Sequence, residues 1–148
     1  MKTKLHLNLL LSLVILIISC QSEKKSIENY IKYNIGLEYE DKFSIIILPF
    51  DACNACIHSS LSYISSNLSV LNKNKLIIYN FLSLKSSKMQ YGEELFNHEN
   101  TIIDSNGKFL EFDFKHNQPM IIQIENEDIT KIENLDSSNF EVLLSKLH

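Results

Sequence analysis

The stretch Phe43-Ser44-Ile45-Ile46-Ile47-Leu48-Pro49-Phe50-Asp51-Ala52-Cys53-Asn54-Ala55-Cys56-Ile57 decides how the rest of this 148-residue chain is read. Its first six residues are nearly continuous in apolar and β-branched side chains, the pattern of a strand covered on both faces inside an α/β sheet. Pro49 stops it. From Cys53 the period changes, because Cys53, Ile57, Leu61, Ile64, Leu68 and Leu71 recur by fours and threes along one face of a helix. The spacing predicts one helix closed by Asn72-Lys73-Asn74, with Ser59, Ser60, Ser62, Ser65, Ser66 and Asn67 on its other positions. Cys53 and Cys56 therefore stand where a strand hands over to a helix. The free N–H groups and positive dipole end of a helix N-terminus favour a thiolate, which is the reactive form of cysteine. Redox chemistry is the first function to consider.

Leu76 to Phe81 supplies a second buried strand, so strand, helix and strand form a βαβ unit with a parallel pair. Upstream, Ile27, Tyr30, Ile31 and Ile35 recur at helical spacing and predict a short helix ending near Gly36. Downstream, Met89, Leu95 and Phe96 line a short helical region that Gly92 interrupts, and Thr101-Ile102-Ile103 forms a brief strand before the turn residues Asp104 to Gly107. Phe109, Phe112 and Phe114 fit either a strand or a helical turn. Pro119 precedes the strand Met120 to Ile124, which turns at Asn126 and returns over Ile129 to Ile132 as a hairpin. Ser138 with Glu141 reads as a capping box, opening a terminal helix faced by Phe140, Leu143, Leu144 and Leu147.

The first nineteen residues are targeting sequence and lie outside the fold. Lys2 and Lys4 make a positive n-region, Leu9 to Ile18 an apolar core broken only by Ser12, and Ile17-Ile18-Ser19-Cys20 resembles the lipobox of bacterial lipoproteins. That resemblance implies cleavage before Cys20 and a lipid on its thiol. An uncleaved anchor and an ordinary secretory signal are the alternatives, but the apolar run is short against the roughly 20 residues a spanning helix needs. The expected plan is a signal peptide over 1–19, a lipidated Cys20 with a polar tether over 20–26, and one domain over 27–148. Two or three acyl chains, at roughly 0.8 kcal/mol per buried methylene, hold such a protein on a membrane without a spanning helix. The expected location is then the bacterial cell envelope on the extracytoplasmic side, where disulfides persist. With Cys20 lipidated, Cys53 and Cys56 have only each other to pair with.

Charge narrows the partners. All 14 basic residues are lysine against 18 acids, and no basic run exceeds Lys24-Lys25. Without its first nineteen residues the chain has 12 lysines against 18 acids, or −6. Nothing here suits a phosphate backbone, so nucleic acid is not an expected partner. The sequence leaves oligomeric state open.

A strand, a Cys-x-x-Cys opening a helix, a second parallel strand, and a proline before a hairpin and final helix together resemble the thioredoxin-like superfamily over residues 43–148. Within it the membrane-anchored extracytoplasmic proteins of the TlpA type are the most similar. The resemblance implies an α/β fold with a central mixed sheet, flanking helices and a C-terminal β-hairpin plus helix. It implies a thiol–disulfide oxidoreductase acting on exported thiol- or disulfide-containing proteins, with Cys53 as exposed nucleophile and Cys56 as buried resolving thiol. Pro119 matches the family's cis-proline facing the pair, and Gln118 the residue whose backbone receives an extended peptide. This chain departs from the family at Asn54-Ala55, where many members carry proline second, and at Ala52, where an aromatic is common. Ile47 stands where thioredoxin carries its proton-handling acid, and Asp51, two residues before Cys53, would raise that thiol's pKa by like charge.

Other readings remain beside this one. A redox-inert thioredoxin-like module, binding peptide or metal and using a Cys53–Cys56 disulfide for stability, is the chief alternative. Cys53, Cys56 and His58 offer two thiolates and an imidazole, with His98 or His116 as a further ligand, but no second Cys-x-x-Cys completes a tetrahedral site. No metal is assigned and no cofactor is expected. Haem attachment fails because Ile57 separates Cys56 from His58. A peroxidase of the peroxiredoxin kind would need a threonine ahead of its cysteine and an arginine, and the chain has no arginine.

Overall fold

The computed structural model describes residues 25, 27–31, 42–50, 53–79, 83–108, 118–126 and 128–147. Strand β1 (Lys42–Pro49) leads into helix α1 (Asn54–Ser66), and the chain returns as β2 (Lys75–Tyr79). Two short helices follow, α2 (Leu84–Tyr91) and α3 (Glu93–Asn97), then β3 (Thr101–Asp104), β4 (Met120–Glu125), β5 (Asp128–Asn134) and the final helix α4 (Phe140–Ser145). The five strands form one sheet in the order β3-β2-β1-β4-β5. β1 runs parallel to β2, and β2 to β3, while β4 is antiparallel to both β1 and β5. This is a central mixed sheet with flanking helices and a C-terminal hairpin and helix, the α/β architecture expected from the sequence.

Side-chain alternation along the strands divides the core in two. Ile46 and Leu48 of β1, Leu76 and Ile78 of β2 and Ile121 of β4 face one layer, packed with Ile57, Leu61 and Ile64 of α1 and Leu144 of α4. Ile45 and Ile47, Ile77 and Tyr79, and Met120, Ile122 and Ile124 face the other, packed with Ile27, Tyr30 and Ile31 of an N-terminal helical segment. Residues 27–30 are helical as expected, but Gly36 lies outside the described residues. So do Phe109, Phe112, Phe114 and the whole of 1–20, including Cys20. Among the described residues, no helix is long and apolar enough to cross a membrane.

Three expectations are corrected. The helix after Cys53 does not run to Leu71, because it ends at Ser66 and a 3₁₀ turn (Leu68–Asn72) follows. Asn67 breaks it: its side chain donates to Tyr63 O (2.9 Å) and its N–H to Ile64 O (3.0 Å), local bonds that compete with the helical ladder. The tighter turn then buries Val70 and Leu71 while Leu68 stays half-buried. Met89, expected to line a helix, is 80% exposed, and Ser87 and Tyr91 are the buried positions of α2. Gly92, at φ 91, separates α2 from α3 as expected, a backbone conformation costly for other residues. The Ser138–Glu141 capping box does not form. Asn139 is the N-cap of α4 and makes no side-chain cap bond, while the turn before it is held by Asp136, whose Oδ1 accepts from Ser138 N (2.7 Å), Ser138 Oγ (2.6 Å) and Asn139 N (3.0 Å). An ionised carboxylate at that turn is the stronger acceptor and suits the helix dipole.

Asn74 ties three parts of the fold together. Its Oδ1 accepts from Ser44 N at the start of β1 (3.0 Å), and its Nδ2 donates to Val70 O (2.6 Å) and to Leu147 O beyond α4 (2.9 Å). Asn74→Ala leaves these buried backbone groups without partners. The expected loss is roughly 2–3 kcal/mol in denaturant unfolding, at unchanged m-value.

Candidate dithiol site

Cys53 is the N-cap residue of α1, with φ −50 and ψ 103, and its carbonyl accepts the first helical bond from Ile57 N (3.1 Å). Its side chain makes no capping bond and is exposed, whereas Cys56, on the helix's first turn, is buried. Both thiols are free, and Cys56 Sγ donates to Cys53 Sγ across 2.6 Å. The structure thus brings the two cysteines together, one sulfur open to solvent and the other beneath it.

Their electrostatics are opposite. The Cys53 thiol is pulled below its ordinary value first by the S–H of Cys56 and then by the backbone N–H of Cys56, against an opposing penalty from desolvation, with the Ala55 N–H adding last. The helix N-terminus therefore acts through named donors. Cys56 is pushed up, chiefly by burial, then by the bond it donates to Cys53, the charge on Cys53 and, last, the charge on Asp136. The N–H of Ser137 opposes this by facing the Cys56 sulfur. Negative charge accordingly rests on the exposed sulfur and the proton on the buried one.

Asp136 and Ser137 were not singled out in the sequence, which pointed instead to Ser138 and Glu141. They belong to the turn between β5 and α4, whose carboxylate the Ser138 hydroxyl and N–H and the Asn139 N–H hold below the ordinary range. An acid at the start of a terminal helix is the signal that could have found it. Leu135 N donates to Pro119 O (2.7 Å), so this turn is tied to the segment entering β4. Pairing of Met120 with Ile47 carries Gln118 and Pro119 to the sheet end where β1 leads toward Cys53. Gln118 is exposed and Pro119 buried, but no cis peptide bond occurs among the described residues. The Gln118–Pro119 bond is trans, contrary to expectation, the isomer an X–Pro bond prefers intrinsically.

His58 is not drawn to the sulfurs. Its Nδ1 bonds with the Tyr91 hydroxyl and lies 3.2 Å from Gln90 Nε2, and its ring sits 5.6 Å from that of Tyr91. His98 Nδ1 accepts from Asn100 N (3.2 Å), and His116 lies outside the described residues, as do Asp51 and Ala52. Among the described residues no group of three or more His, Cys, Asp or Glu side chains could hold a metal ion. Ile47 is fully buried in the layer away from α1.

No family model matches the chain, and no curated protein matches it. Among solved structures, it is similar to reduced Prx3 from Vibrio vulnificus, at 15% identity and a TM-score of 0.40, over 72% of this chain and 81% of that one. Oxidised Prx3 from the same organism gives 13% identity and a TM-score of 0.42, over 76% and 83%. Likeness at this level says nothing of activity, and what the site can do rests on its own geometry.

That geometry sets an order of reactivity. Alkylation of the fully reduced protein should modify Cys53 first, with a pH midpoint below the ordinary cysteine value. Cys56→Ala should move that midpoint upward, because it removes the largest stabiliser of the Cys53 thiolate. A midpoint unchanged by Cys56→Ala would show that the backbone N–H groups alone set it.

Proposed function

We propose that this protein is a lipid-anchored thiol–disulfide oxidoreductase of the bacterial cell envelope, acting on exported proteins through Cys53 and Cys56. The observation that carries the reading is the adjacency of an exposed thiol favouring its anion and a buried thiol keeping its proton, at the mouth of a βαβ unit. In the reducing direction the Cys53 thiolate attacks one sulfur of a substrate disulfide. A Cys53–substrate bond forms, the substrate S–S bond breaks, and one substrate sulfur leaves as thiolate. Cys56 then gives its proton to water and attacks the Cys53 sulfur. The Cys53–Cys56 disulfide forms, the second substrate sulfur leaves, and two electrons have passed from the pair to the substrate. Starting from the oxidised pair and a dithiol substrate, the same bonds are exchanged in reverse.

Two features temper the rate. The Asn54-Ala55 spacer carries no proline to restrict the turn, and the β1 side chains on the α1 side, Ile46 and Leu48, supply no acid to take the Cys56 proton. Proton transfer in the resolving step therefore falls to solvent. Residues 1–19 act as a signal peptide in this proposal, with Cys20 carrying the lipid and 20–26 as the tether.

Equilibration of the purified domain against glutathione buffers tests the catalytic half. The expected result is a pair that cycles between dithiol and disulfide within the range of known oxidoreductases, about −120 to −270 mV. A pair that stays oxidised at strongly reducing poise, with a Cys53 midpoint at or above about 8.5, would favour a structural disulfide instead. For the anchor, Cys20→Ser should release the protein from membranes, and a variant that still partitions with them would refute lipidation.

A further inference from the structure

An open cleft of 480 Å³ runs between α1 and the start of α4, with His58, Ser59, Ser62, Tyr63, Phe140 and Glu141 in its walls. Neither cysteine lines it, but Ser59 in its wall is one helical turn beyond Cys56, and Phe140 follows the turn whose Ser137 N–H faces the Cys56 sulfur. Its volume falls in the range that holds a drug-sized body, the bulk of a short run of peptide. Two carboxylates belong to α4 and the turn ahead of it. Asp136 is exposed, locked by three hydrogen bonds and held ionised, and Glu141 lies in the wall itself.

No lysine lines the cleft among the described residues. The lysines of the neighbouring α2, Lys85 and Lys88, border a separate groove with Leu84 and Met89, and Lys88 Nζ donates to Asn97 Oδ1 (2.7 Å). His58 is engaged with Tyr91 and Gln90. Tyr63 and Phe140 meet edge to face, with ring centroids 6.4 Å apart and planes at 83°. Half-buried aromatic rings beside carboxylates suit a side chain with an apolar stem and a cationic head. The serine hydroxyls along α1 offer hydrogen bonds to a peptide backbone.

We propose that this cleft receives the polypeptide next to a substrate disulfide and selects segments carrying Lys or Arg beside the cysteine, with Asp136 and Glu141 as the recognising charges. The inference rests on the thiol–disulfide exchange assigned to Cys53 and Cys56. An anionic small thiol is disfavoured on the same grounds, since its carboxylates would meet like charge with no cation in the wall to offset them.

Two model peptides test it, one with the cysteine between lysines and one with it between glutamates, each as a disulfide with the same small neutral thiol. Rates of exchange with the reduced full-length protein are compared at low salt. The lysine peptide should react about fivefold faster, and the gap should close near 1 M salt, where the screening length falls to about 3 Å. Asp136→Asn combined with Glu141→Gln should shrink the ratio, and Glu141→Gln alone, which leaves the Asp136 turn intact, should shrink it in part. Equal rates at low salt, or a ratio that ignores both substitutions, would overturn the selectivity while leaving exchange itself standing. Failure of both peptides to exchange would take down the exchange reading and this inference with it.

Discussion

Burial of β1 on both faces is the constraint from which the rest of the structure follows. A strand whose Ile45, Ile46, Ile47 and Leu48 are all fully buried must have neighbours on both edges and cover on both sides. The edges are met by β2 in parallel and β4 antiparallel, which forces a crossover on one side and a hairpin on the other. The cover is met by α1 and α4 on one face and the N-terminal helical segment on the other. Burial of this strand stabilises the fold by roughly 25 cal/mol per Å² of apolar surface removed from water, and its end fixes where α1 begins.

The dithiol inherits its asymmetry from that placement. Because α1 must lay Ile57, Leu61 and Ile64 on the sheet, Cys56, one residue before Ile57, turns inward with them. Cys53, outside the helix at its N-cap, turns outward. The difference between nucleophile and resolving thiol therefore comes from helical phase, before any charge is considered. Charge then widens it, since the buried S–H hydrogen-bonds to the exposed sulfur and Cys56 feels the charges on Cys53 and Asp136.

What was legible in the sequence was whatever depended on period and position. The continuous apolar run of β1, the three-and-four spacing of α1 and the hairpin at Asn126, which sits at φ 52, could be read directly because each reflects burial or backbone geometry at a single place. That Cys53 and Cys56 would lie side by side was readable for the same reason, and both thiols are free. What was not legible were outcomes of competition between local groups. Asn67 breaks a helix whose apolar pattern continues past it, Met89 points to solvent from a segment too short for its period to decide, and Ser138 donates to Asp136 in the turn before α4 where a capping box was expected. In each case a side-chain hydrogen bond or a change of turn decides among patterns that look equivalent as letters.

Position 47 shows why the missing acid could not be recovered from spacing alone. Alternation sends Ile46 and Leu48 toward α1, and Ile47 to the opposite layer among Ile27, Tyr30 and Ile31. A carboxylate there would sit in the apolar layer away from α1 and pay its desolvation without reaching the Cys56 side. Any ionised group near the buried sulfur must arrive from a loop, where water can solvate it, and the β5–α4 turn is the loop that reaches it among the described residues. Asp136 meets that condition because its carboxylate is exposed and held by three donors while its charge bears on Cys56. It is a poor base for a thiol, being held ionised well below neutral pH, so its effect is a fixed field. That field adds a last increment to burial, the bond donated to Cys53 and the charge on Cys53 in keeping the proton on Cys56.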